Sequence, residues 1–289
     1  MVDLVSQIFG IGRYVAAIAL GYLTGRALRW RPPAFLFVAV VVTLVFFVAA
    51  EAAGVVLSNV GAFLAISMLY SLSLILATGL LGSLFDKPAT AGEVRKPVIS
   101  LYVAAALAAG LAAGAVAEFN YASTIDPLLL FLLFIAGIDM AHVEIRLDRS
   151  MFLAPVVTLL AAGIVGLLFA LFFRITPAVA FGLGWYSFTG PYLASIGDAA
   201  GGAYGLLVNF LREQLTFLLA PPLAKRLGKL GVLAMGGATT MDNTLPLYTA
   251  LYGSSFALYA FANGVLLTAV VPVAVPLIHQ LYTSMLSTH

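Results

Sequence analysis

Apolar runs of about twenty residues follow one another along nearly all of this 289-residue chain, separated by short gaps that hold most of its charges. A helix rises about 1.5 Å per residue, so a run of that length spans the roughly 30 Å hydrocarbon core of a bilayer. The runs fall at about 8–27, 33–53, 60–84, 97–118, 124–141, 152–173, 201–223 and 254–282. Only 9% of residues are charged, against about 25% in a soluble domain, so a water-soluble surface is excluded. The expected fold is all-α: a single polytopic transmembrane domain over 1–289, with N-terminal helices in 1–118 and a site-bearing region in 124–282. Cysteine is absent, which excludes disulfides and thiolate metal sites. The first apolar run has no basic segment before it and reaches spanning length, so it is read as a transmembrane helix rather than a cleaved signal.

Two further stretches differ in texture. Residues 177–197 read AVAFGLGWYSFTGPYLASIG from Ala178 onward, and 230–250 contain GVLAMGGATTMDNTLPLYTA. Both are dense in Gly, Ser, Thr and Pro, which weaken or break helices. Non-helical backbone at membrane depth must be buried in protein or line a wet cavity, so both are expected to be broken or re-entrant helical segments. Loop charges support this. With the N-terminus outside and eight full spans, Arg26, Arg29 and Arg31, then Lys87, Arg95 and Lys96, then Arg146 and Arg149, and finally Lys225, Arg226 and Lys229 all fall inside, as the positive-inside tendency favours. Arg174 is then the basic loop residue left outside, and both termini lie outside the cytoplasmic membrane. Ten complete crossings would put the Lys225 cluster outside. A weak internal repeat pairs YVAAIALGYLTGRAL near the start with LYVAAALAAGLAAGA at 101–115. Its Gly21-xxx-Gly25 and Gly110-xxx-Gly114 spacings permit close helix contact.

Charges that interrupt the apolar runs are the candidate site. Arg212 and Glu213 sit in GLLVNFLREQLTFLLAPP, where each ion at the bilayer centre costs roughly 2.5–3.5 kcal/mol. Positions 209 and 213 share a helix face while 212 points about 100° away. Asn209 and Glu213 are therefore expected to face one cavity, with Arg212 pairing elsewhere or neutralising Asp242. Asp242 lies in Thr239-Thr240-Met241-Asp242-Asn243-Thr244, just after Gly236-Gly237. Its carboxylate, the hydroxyls and the carbonyls of an unwound backbone suit a cation, Na⁺ included. Trp185, Tyr186, Ser187 and Thr189 supply polar groups beside Gly184 and Gly190 in the other glycine-rich stretch.

Other polar residues carry blander readings. Asp198 reads as a helix cap. Asp139 and Glu144 read as solvated charges at a basic edge, and Arg13 as either snorkelling or paired with an acid. His142, His279 and His289 are too scattered for a metal site. No phosphate-loop or dinucleotide glycine motif is present, so no nucleotide cofactor is expected. Ser195-Ile196-Gly197-Asp198 resembles the GxGD motif of intramembrane aspartyl proteases with its first glycine replaced.

GLGWYSFTG at 182–190, LREQL at 211–215 and GGATTMDNTLP at 236–246 resemble, in order and spacing, the lysine exporter (LysO-like) membrane transporter family. PPLAKR at 221–226 and VVPVAVP within 270–276 extend the resemblance, which runs from about 125 to 282. Members carry His–Gly where this chain has Asn263-Gly264, and Gln in place of Asp139. The resemblance implies secondary export of L-lysine, with essential acidic residues in the membrane; those would be Glu213 and Asp242. Lysine needs a carboxylate for its ammonium and donors for its own carboxylate. Glu213 and Asp242 are expected to hold the ammonium or exchange it for a proton, with Thr239, Thr240, Asn243, Ser187 and Thr189 completing coordination. The coupling ion is H⁺ or Na⁺, the latter near Asp242. A channel, or less readily an aspartyl protease using Asp198 and Asp242, is the alternative.

Overall fold

In the computed structural model, residues 4–29, 32–86, 99–117, 120–142 and 153–287 are described. Among them the regular elements are all helical. They are α1 (Leu4–Leu28), α2 (Ala34–Glu51), α3 (Ala53–Ser58), α4 (Val60–Ser83), α5 (Ile99–Val116), α6 (Ala122–Met140), α7 (Leu153–Phe173), α8 (Tyr186–Ser195), α9 (Ala199–Leu223), α10 (Lys229–Gly236), α11 (Leu245–Tyr252) and α12 (Ser254–Ser287), with 3-10 segments at Pro177–Gly182 and Gly237–Met241. A long helix lies over each of the eight apolar runs. Val60–Ser83, Ser123–Met140, Leu153–Phe173 and Phe256–Leu286 are long and apolar enough to cross a membrane, and Phe35–Glu51 and Tyr102–Val116 are shorter apolar helices. Both glycine-rich stretches are broken, as their composition predicts. The first is a 3-10 segment followed by a ten-residue helix, and the second is a 3-10 segment between two eight-residue helices.

The chain forms two compact units. The first gathers α1, α2, α3, α5, α6 and Gly190–Ala203. In it α1 packs on α6 and α2 packs on α5 and α6. Small residues make these seams. A Cβ on Gly21 would lie 2.0 Å from the Phe134 carbonyl oxygen, and one on Gly114 would lie 2.1 Å from that of Ala50. The two small-residue spacings read from the sequence thus both sit where helix backbones touch. Gly21→Ala is expected to cost about 1–3 kcal/mol through overpacking, measured as a lower unfolding midpoint in detergent. An unchanged midpoint would show that the seam tolerates separation.

The second unit holds α4, α7, both 3-10 segments, α10, α11, α12 and α9 from Tyr204 onward. Here α4 packs on α7 and α10, and α12 packs on α11 and both 3-10 segments. Its polar groups are buried in number: Asn209, Arg212, Thr216, Thr240, Thr244 and Asn263 are each fully covered. An inventory of that kind needs internal partners, and the breaks in the helices supply most of them.

Candidate functional site

The two interrupted stretches meet. In the first, the Thr176 hydroxyl caps the 3-10 segment at the Ala178 N–H, and the chain then reverses through Leu183 and Gly184, with φ of 52° and 97°. In the second, α10 ends at Gly236 and Gly237 turns the chain with φ 61° and ψ −130°. The Ala238 N–H donates to the Leu183 carbonyl at 2.8 Å, so one break satisfies backbone freed by the other. A Cβ on Gly237 would fall 2.1 Å from that same carbonyl oxygen, which restricts the position to glycine.

Helix α9 clamps both breaks with side chains one turn apart. Asn209 accepts from the Gly184 N–H at 2.7 Å and donates to the carbonyls of Val179 and Gly205 at 3.0 and 2.9 Å. Expected to face a cavity beside Glu213, it is fully buried with its amide committed to backbone. Arg212 is also fully buried. Its Nε donates to Met235 O and its Nη2 to Ala234 O, both at 3.0 Å, while Nη1 has no hydrogen-bond partner. Its guanidinium therefore meets the carbonyl end of α10 rather than Asp242. The physical reason is the helix terminus itself, whose last carbonyls lack intrahelical donors and carry the negative end of the macrodipole.

Glu213, 1% exposed, faces the other way into a polar cluster. It accepts from Asn243 Nδ2 at 2.9 Å and from Gln214 Nε2 at 3.2 Å. Tyr186 is hydrogen-bonded to the Asn243 side chain and lies within electrostatic reach of Glu213 and Asp242. Asp242 also acts electrostatically on Glu213. Asp242 itself is exposed, and its Oδ1 accepts from the Asn243 N–H. The structure so brings together Tyr186, Glu213, Asp242 and Asn243 around one carboxylate pair, of which one member is buried and one is open.

The predicted threonines turn their hydroxyls onto nearby carbonyls and one another. Thr239 donates to Gly236 O at 2.9 Å and shares a hydrogen bond with Thr244 at 3.1 Å. Thr240 donates to Gly237 O at 2.9 Å, and Thr189 to Trp185 O at 2.9 Å. Ser187 and Trp185 are buried, the latter tilted against Phe188. Carbonyls expected to be open to a cation are thus occupied by side chains.

Sequence reasoning passed over several contributors. Tyr248 donates to Val232 O at 3.1 Å, and Thr216 to Arg212 O at 2.8 Å and Met235 O at 3.3 Å. Asn263, noted only as a departure from the family pattern, donates to Gly237 O at 3.0 Å and Thr240 Oγ1 at 2.9 Å, leaving its Oδ1 without a partner. All three lie at helical spacing within apolar sequence, where a buried hydroxyl or amide looks no different from a core position. In the first unit Arg13 pairs with Asp126 at 2.8 Å, and Tyr14 donates to the same carboxylate at 2.8 Å. The pairing reading for Arg13 thus holds, with an acid at the start of α6 that the sequence did not single out. Asp198 caps α9 at the Gly201 N–H, 2.7 Å away, as read. His142 Nδ1 contacts Ile138 O, and His279 contacts Thr176. Glu144, His289 and the basic residues Arg31, Lys87, Arg95, Lys96, Arg146 and Arg149 lie outside the described residues.

Residues 104–279 match the family described as Lysine exporter LysO. Lysine exporter LysO of Escherichia coli (strain K12) is 32% identical over 157 residues, covering 51% of this chain and 52% of that protein. The chain thus matches about half the length of that curated relative. No solved structure matches. With helices apolar and long enough to cross a bilayer and more than half its length within the family's pattern, this multi-pass membrane protein belongs to the lysine exporter LysO family.

Proposed function

We propose that this protein is a secondary active exporter of L-lysine and close analogues, working by alternating access in the cytoplasmic membrane. The observation that carries the reading is Glu213. It is a buried carboxylate on an unbroken helix, facing amide and phenol groups and an exposed second carboxylate, Asp242. Its nearest partners are neutral, so the site has a place for a positively charged group that the protein itself does not fill. The lysine ammonium meets that need, and so does a proton. Because one carboxylate takes either but not both, the two flows are coupled without a second site. Na⁺ near Asp242 is the alternative coupling ion. Asp198, spent on capping α9, does not favour a protease.

The topology that suits this function has eight spans, two broken partial spans and both termini outside. The helix pairs support a repeat: exchanging α1 with α5 and α2 with α6 maps the α1–α6 seam onto the α5–α2 seam, and both seams are built on small-xxx-small glycines. The test is exchange of labelled lysine in proteoliposomes with pH and Na⁺ gradients imposed separately. Uptake driven by one gradient is expected. Flux that persists unchanged after all ion gradients collapse would instead make the protein a channel.

A further inference from the structure

We propose that Arg212 is a tethered cation, filling the position at the broken helix where a free alkali ion would otherwise sit, so that the crossing itself carries no exchangeable Na⁺. Helix α10 is the basis. Its N-terminal end meets an anion, since the Leu230 N–H donates to Asp86 Oδ2 at 3.3 Å. Its C-terminal end meets a cation, Arg212, on the carbonyls of Ala234 and Met235. Lys229 opens this eight-residue helix, but its ammonium lies over the Tyr252 ring, so the charge hydrogen-bonded at each end is the one the macrodipole favours.

The oxygens that coordinate an ion at such a break are already engaged. The carbonyls of Val232 and Leu233 accept from Tyr248, that of Ala234 from Arg212, and that of Met235 from Arg212 and Thr216. The carbonyls of Gly236 and Gly237 accept from Thr239 and from Thr240 with Asn263. Two neutral amide donors would serve Ala234 and Met235 equally well, and at a lower desolvation cost. What the guanidinium adds is charge, and its Nη1 goes without an acceptor. A group selected for hydrogen bonding alone would not leave a donor empty in a fully buried place.

The consequence for exchange rests on the transport reading above: with the crossing's cation fixed, Na⁺ has no place on the carbonyls of the break, which favours H⁺ on Glu213 as the ion that trades with lysine. Stability gives a readout that does not depend on lysine being the cargo. Arg212→Gln keeps amide donors and loses the charge; Arg212→Ala opens the position. Both are expected to lower the unfolding midpoint in detergent and to slow lysine exchange by at least about tenfold, a size that a favourably placed charge at a helix end supports. Millimolar guanidinium, or Na⁺, is expected to raise the midpoint of Arg212→Ala and restore part of the exchange, while wild type responds to neither. The proposal is overturned if wild-type exchange or stability requires Na⁺. It is equally overturned if Arg212→Gln matches wild type in both readouts, or if folded Arg212→Ala gains nothing from either cation. Should Arg212→Ala fail to fold, the Arg212→Gln and wild-type arms decide alone.

Discussion

Glu213→Gln is expected to abolish lysine exchange while leaving the protein folded. Glutamine has the same shape, and its carbonyl oxygen can accept the hydrogen bond that Asn243 now donates at 2.9 Å, while the half-buried Gln214 turns its amide away, so the cluster keeps its packing. What disappears is the negative charge. An ammonium brought into a buried place without its counter-charge loses about 3–5 kcal/mol, which corresponds to roughly two to four decades in rate. Labelled-lysine exchange in proteoliposomes reads this directly, with the unfolding midpoint as the control for folding. Asp242→Asn is expected to do less, because Asp242 is exposed and water screens its charge. If Glu213→Gln exchanges lysine at the wild-type rate, the mechanism proposed for the site is wrong.

The second large effect belongs to backbone. Gly237→Ala puts a Cβ 2.1 Å from the Leu183 carbonyl oxygen, at a residue with φ 61°. Strain at such a conformation costs about 1–3 kcal/mol, and forcing the two breaks apart adds about 1–3 kcal/mol of overpacking. It also threatens the hydrogen bond from Ala238 to Leu183. The sum, about 2–6 kcal/mol, is a large fraction of the net stability of a typical domain, so the variant should melt far below wild type. Gly253→Ala is the internal comparison. Gly253 also has positive φ, 89°, but an added Cβ there meets nothing within 4 Å. Its cost is the strain alone. Equal midpoints for the two variants would show that the crossing is not a point of close backbone contact.

These two sites differ in how far the sequence revealed them. Glu213 was conspicuous because an acid in an apolar run has few idle explanations. The breaks around Gly184 and Gly237 were legible from composition, since glycine and proline punctuate helices wherever they cluster. That the breaks touch was not legible, because it depends on a hydrogen bond between residues 183 and 238 that leaves no periodic trace. Arg212 shows the limit most clearly. Helical geometry correctly turned it away from Glu213, yet its partner is a pair of main-chain carbonyls, which are the same for every residue type and so invisible in a string of letters. Asp126 was missed for the opposite reason: an acid beside Pro127 near a helix start looks like an ordinary terminus, and its pairing with Arg13 joins α1 to α6 across more than a hundred residues.

Alternating access, as proposed above, requires a change of shape, and the bonds between Ala238 and Leu183, Asn209 and Gly184, and Arg212 and the end of α10 restrict where it can occur. In hydrocarbon no water stands ready to replace a lost partner, so pulling the crossing apart would strand several polar groups together, whereas carrying it along intact strands none. On that reading the joined breaks would serve as the fixed pivot of the second unit, with motion bending the chain around them while the geometry presented to the cargo stays constant.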